Sequence, residues 1–192
     1  MKRRLKHLIP GFQRIKRAWR SRGFGIHSPF AFRFVTCVLR ESGEYYAYRE
    51  LRHIAGDRKA FRRLALVFRL VCEFRPATVS VFGDSDFTAR IDRTVRLADS
   101  RIKTYNCSET ADPSCLQNPG FCIIQSARNF NDMDFFGRAL RSECMVAFMD
   151  VSGADACRLR DLLTSGMSFY NRRTIILVSR HDLPRQNFEV NF

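Results

Sequence analysis

At 192 residues the chain has room for one domain with a full hydrophobic core and too few residues for two of ordinary size. Its 45% hydrophobic, 12% aromatic and 27% charged residues exclude a disordered or fibrous chain, and 18 Phe make it Phe-rich. The net charge of +14 is unevenly spread: residues 1–22 hold nine Lys/Arg and no acid, so the other 170 carry 24 basic and 19 acidic groups and are only mildly basic. Seven Cys without a CxxC pair argue against a zinc site or a disulfide framework and for a reducing cytosol. There is no secretory apolar core and no apolar stretch near the length of a membrane span.

The chain divides into a basic amphipathic segment, 1–22, and a single α/β domain, 23–192, made of a helical cap over 23–76 and a sheet region over 77–192. In the head, Phe12, Ile15, Ala18 and Trp19 recur at helical spacing after Pro10. Two readings stand there: a patch for an anionic membrane surface or nucleic acid, or a solvated helix laying Phe12, Ile15 and Trp19 on the domain. Ser28-Pro29 is an N-cap followed by proline at the first helical position, and a Phe-rich helix runs from it to about Arg40. Tyr45, Tyr46 and Tyr48 cluster next. Apolar spacing from Phe61 to Cys72 marks a helix from about Lys59 to Phe74, stopped by Pro76.

At Thr78 the pattern changes. Val79–Phe82, Ile102–Tyr105, Phe121–Ile124, Met145–Met149 and Thr174–Val178 read as strands; Thr88–Ala98, Phe135–Leu140 and Ala156–Leu163 read as helices. Continuous apolar strands alternating with helices imply a Rossmann-like, doubly wound, mainly parallel sheet covered on both faces. Asn187–Phe192 is read as an added edge strand.

Ligands of such sheets bind beyond the carboxyl ends of the strands, so the candidate residues are those that follow them. Gly83, Asp84 and Ser85 follow the first strand, Asn106 the second, Asn129 the third and Asp150 the fourth. The Gly83 to Asn106 spacing matches that from a glycine turn to a ribose-binding acid, with an amide in place of the acid.

At Gly25-Ile26-His27-Ser28-Pro29-Phe30, Tyr45-Tyr46-Ala47-Tyr48, Leu66–Val71 and Asn187–Phe192 the chain resembles a bacterial branch of the class I S-adenosylmethionine-dependent methyltransferases, related to the O-methyltransferases. The resemblance implies S-adenosylmethionine as cofactor, held by Gly83, Asp84, Ser85, Asn106 and Asn129, and methyl transfer to an oxygen of an acceptor with Asp150 as the catalytic acid. It also implies that His27 buttresses the cap. The chain departs from the family's motif at three places: Val81 stands for an acid, Phe87 for the second glycine of Gly-x-x-x-Gly, and Asn106 for the ribose-binding acid. A shortening around strands five and six leaves open which of the two Thr174–Val178 is.

Three functions therefore compete: an active methyltransferase, a catalytically inactive protein of that fold serving as an interaction module, and a membrane- or nucleic-acid-binding protein working through residues 1–22. A cytoplasmic protein, peripheral at the membrane in the last case, fits all three. Phe82-Gly83-Asp84-Ser85 also resembles the first block of the Gly-Asp-Ser-Leu hydrolases, with Ser85 as nucleophile. That chemistry needs a His base and a Gly-x-Asn-Asp element; the chain has only the adjacent His181 and Asp182.

Overall fold

Strands with both faces buried must be apolar throughout, and this decides which segments form the middle of the sheet. The computed structural model describes residues 17–107, 120–127, 137, 139–141 and 143–192. In it β1 (Thr78–Phe82), β3 (Phe121–Ile124), β4 (Cys144–Phe148) and β6 (Ile175–Ser179) are buried at every position except Thr78. With β2 (Lys103–Cys107), β5 (Met167–Tyr170) and β7 (Gln186–Glu189) they form one sheet in the order β2-β1-β3-β4-β6-β5-β7. Every pairing is parallel except those of β6, which runs against both β4 and β5. This is a Rossmann-like α/β fold.

The helices begin where side chains take up their first free N–H groups. Ser28 Oγ accepts from Ala31 N at 3.2 Å and opens α1 (Pro29–Arg33), which widens into a π-helical stretch at Phe34–Leu39. After α2 (Tyr48–Ala55), the Asp57 carboxylate accepts from Lys59 N and Ala60 N and starts α3 (Arg58–Phe74). Arg75, in the left-handed region at φ 45°, ends it. Asp84 caps α4 (Ser85–Ala98) and Ser152 caps α5 (Gly153–Asp161).

One face of the sheet, with Val79, Val81, Ile123, Ala147 and Phe169, is covered by the helices from α1 to α4 in a single apolar cluster. Ile124, Val146, Phe148 and Ile175 face the other way, against α5 and Leu140. The helices of 23–76 are thus one layer of the sandwich. Phe34 pins it down: its ring is fully buried, 4.7 Å from that of Phe169 and 5.6 Å from that of Phe74.

Several elements differ from the reading of the sequence. β5 was not foreseen, so Thr174–Val178 supplies the sixth strand, and it is reversed. α4 starts at Ser85 instead of Thr88 because Asp84 caps it, and β2 reaches Cys107, leaving Asn106 inside the strand. The foreseen Phe135–Leu140 helix lies mostly outside the described residues, with Gly137 and Ala139 helical. His27, expected to buttress the cap, is exposed. Phe12 and Ile15 also lie outside them. Trp19 is not buried against the domain: it is 63% exposed and meets the ring of Phe24, itself 61% exposed. The end of the head is tied to the closing strand instead. Arg17 pairs with Glu189 at 3.6 Å, and Asn191 N donates to Ser21 Oγ at 2.6 Å. Among the described residues no helix is long and apolar enough to cross a membrane.

Candidate functional site

Strand order makes the crevice. From β1 the chain moves outward to β2, and then returns past β1 to β3 and β4, so the connections diverge at the β1–β3 pair and leave an opening beyond its carboxyl ends. Gly83, Asp84 and Ser85 sit there, directly after β1. Asp150 stands at the same edge, two residues beyond β4 and half-buried. Its carbonyl accepts from Ala127 N at 3.1 Å, and the next residue, Val151, donates to Arg173 O at 2.7 Å. Asn106 is the Cα partner of Val81, one rung short of the end of the ladder, and is exposed on the outer strand. Asn129 lies outside the described residues. Four of the six candidates therefore come to one edge of the sheet, and Asn106 lies just below it.

Gly83, Asp84 and Ser85 are exposed at the opening, and two half-buried side chains, Gln125 and Phe87, crowd in beside them. Gln125, the first residue after β3, donates its backbone N–H to Phe82 O at 2.8 Å. Its side chain then bonds Asp84 twice: Asp84 N donates to Gln125 Oε1 at 2.8 Å, and Gln125 Nε2 donates to Asp84 Oδ2 at 2.6 Å. The other carboxylate oxygen of Asp84 accepts from Phe87 N at 2.8 Å, which caps α4. Each carboxylate oxygen thus accepts one hydrogen bond from the protein. The Gln125 amide, and next the Phe87 N–H, hold the Asp84 carboxyl below its ordinary value by bonding the charged form.

Gly83 measures the space left. A Cβ at this position would stand 2.6 Å from Phe87 Cδ1, 2.7 Å from Gln125 Oε1 and 2.9 Å from Gln125 Cβ. The glycine is needed here for the close approach of those two side chains, since its φ lies outside the positive range. Gln125 was missed in the sequence although the signal was there: it directly follows a strand, and the reading passed over it to Asn129.

Hydrolase chemistry fails on topology. Ser85 lies at the carboxyl edge of β1, whereas His181 follows the reversed β6, whose last residue, Ser179, pairs with Cys144 at the start of β4. Serine and histidine are at opposite edges of the sheet, and Asp182 is bonded to Arg180 at 2.6 Å. His53 is exposed. The tyrosines serve packing: Tyr48 is buried with its hydroxyl accepting from Arg69, and the Tyr46 hydroxyl donates to Leu97 O. The buried thiols of Cys122 and Cys144 are pushed up by desolvation, Cys144 to about 12, so both are neutral and inert. Among the described residues no group of three or more His, Cys, Asp or Glu is placed to hold a metal ion.

No protein-family model, no curated protein and no solved structure matches the chain.

Proposed function

We propose that this chain is a protein of the methyltransferase fold that does not use S-adenosylmethionine and acts as an interaction module. One observation carries the reading: Phe87 and Gln125 crowd Gly83, the glycine against which the methionine and ribose parts of that cofactor would have to come. The other positions agree. Val81 is fully buried in the core and offers no carboxylate, and Asn106 is an amide on an outer strand. Asp84, the remaining acid of the turn, already has both oxygens bonded. With Val81 and Asn106 at the two positions where the resemblance implies acids, the residues present do not fit the cofactor, and no methyl-transfer step follows for it.

Thermal unfolding with S-adenosylmethionine and its demethylated product tests this. A cofactor held at micromolar Kd and offered at about a thousand times that concentration stabilises by about 4 kcal/mol. For a domain of this size that is a rise of roughly 8–16 °C in Tm. The expected result is no rise at millimolar ligand; a rise of that order with either compound overturns the reading.

A second reading concerns the head and is favoured by the exposed Trp19–Phe24 pair beside Arg20 and Arg22. Aromatic rings next to cations suit the interface of an anionic membrane, where the rings enter the headgroup layer and the charges stay outside. Co-sedimentation with phosphatidylserine vesicles should fall for Trp19→Ala/Phe24→Ala. Binding that is unaffected by this change, or that is seen with DNA and absent with vesicles, rejects it.

A further inference from the structure

Five cationic side chains line one open cleft of about 700 Å³: Lys59, Arg62 and Arg63 from α3, and Arg172 and Arg173 from the turn between β5 and β6. None of the five has an ion-pair partner among the described residues. The acids in the same wall are already engaged. Glu41 accepts from Gly43 N, and Glu44 pairs with Arg52 at 2.6 Å. Arg40 and Arg69, which also line the cleft, are spent on the backbone carbonyls of Ser21, Val38 and Leu39. The cleft therefore sets five unpaired cations against one carboxylate, that of Glu41, which has no cationic partner among the described residues, a surplus of positive charge.

The turn is built to present two arginines together. Asn171 Oδ1 accepts from Arg173 N and Thr174 N, fixing the loop, and Arg172 stands in the left-handed region at φ 80°, where a side-chain-bearing residue is uncommon. Phe192, half-buried, gives the cleft an apolar floor, with Leu66 and Met149 buried beneath it. Met149 directly follows β4 and the turn directly follows β5, so this is the carboxyl edge of the sheet, the ligand side of open α/β folds, displaced sideways from the β1–β3 crevice. The volume is that of a small-molecule site.

We propose that this cleft binds a small polyphosphorylated ligand, its phosphates on Lys59, Arg62, Arg63, Arg172 and Arg173 and its body on the floor at Phe192. The site does not depend on whether the β1–β3 crevice takes a cofactor.

Calorimetric titration of the full chain with ATP, inorganic tripolyphosphate and adenosine tests the assignment. ATP should bind most tightly, tripolyphosphate more weakly and adenosine not at all, with affinity falling as salt rises. Arg172→Gly/Arg173→Ala and, separately, Arg62→Ala/Arg63→Ala should each weaken ATP at least about tenfold, because charged phosphate contacts are lost. Arg93→Ala/Arg158→Ala, which removes the same charge from exposed positions outside the cleft, should leave affinity unchanged. The proposal is overturned if ATP and tripolyphosphate both fail to bind at millimolar concentration, or if the outside variant weakens binding as much as the cleft variants do. It is also overturned if a short single-stranded oligonucleotide binds far more tightly than ATP and survives both cleft variants, since the partner is then nucleic acid held elsewhere. Equal affinity for ATP and tripolyphosphate rejects the role of the floor.

Discussion

Gly83→Ala is the sharpest probe of the crowding at the β1–β3 crevice. Its single added carbon falls within 3 Å of Phe87 and Gln125, so one of these side chains must move. Moving Phe87 overpacks a half-buried ring, which costs about 1–3 kcal/mol. Moving Gln125 instead breaks its two hydrogen bonds with Asp84, each worth about 1 kcal/mol. Either route leads to about 2 kcal/mol, or a fall of roughly 4–8 °C in Tm. Because φ at Gly83 is not positive, backbone strain adds nothing, and the whole cost reports on space. Phe87→Ala removes one obstacle and leaves the other, so in that background Gly83→Ala should cost about 1 kcal/mol less. Urea titration of the four proteins, with m-values held equal, measures this coupling. If Gly83→Ala lies within about 0.5 kcal/mol of the parent and adds simply to Phe87→Ala, the crevice has room and the case against the cofactor collapses.

The Asp84 carboxyl is held low in the folded chain, so its stabilisation is present above the unfolded value of about 3.9 and is lost as pH falls through the folded value. The urea midpoint of the parent should therefore exceed that of Asp84→Asn at neutral pH, and the gap should shrink below about pH 4; a gap constant down to about pH 2 refutes the bonded carboxylate. A thiol reagent at neutral pH should modify the exposed Cys37 and Cys157 and spare Cys122 and Cys144 until the chain unfolds, as read by peptide mapping. Phe34→Ala should cost about 3–5 kcal/mol in urea titration, the range for emptying a buried aromatic site. A cost below about 1 kcal/mol means that α1 is not fixed to the sheet through this ring. Arg172→Gly should raise stability by about 1 kcal/mol by relieving the left-handed backbone; a loss shows that the side chain itself holds the turn.

The elements legible in the sequence are those whose reason is local. Phe121–Ile124 is an unbroken apolar run because both of its faces are covered, and its limits were read to the residue. Ser28-Pro29 announces α1 because a cap acts within three residues. β5 escaped because its reason is distant: Ser168 interrupts the apolar run and is fully buried only because its hydroxyl donates to Asn187 on β7. The reversal of β6 was equally hidden, since an apolar strand carries no mark of its direction. Asp84 shows a reason that is only partly local: the position suits a ligand, and the same short side chain also caps a helix and latches a strand, the second through Gln125, which is distant in the chain. The cleft was missed because its cations lie far apart in the chain, at 59–63 and 172–173, and only the packing of α3 beside the β5–β6 turn brings them together.

The reversal of β6 is what allows a second opening at this edge. A parallel β5–β6 pair needs a crossover of a dozen or more residues, normally a helix packed on one face of the sheet. An antiparallel pair is joined by a hairpin, and here Asn171–Thr174 closes it at the carboxyl edge, with Asn171 N donating to Thr174 O at 3.1 Å. That short connection carries no helix over the edge beyond β4, so Met149 and Leu66 stay at the bottom of a cleft and α3 can bring its own cations to the opposite wall. The turn also fixes the floor, because Asn171 Nδ2 donates to Phe192 O at 2.9 Å. Asn171 thus joins the loop, the arginines and the end of the chain. Replacing it by Ala removes three hydrogen bonds at once, about 1 kcal/mol each in net stability. It should also weaken ATP binding while keeping every positive charge in the cleft. Unchanged affinity in a folded Asn171→Ala protein would show that charge alone, and no arranged turn, attracts the phosphates.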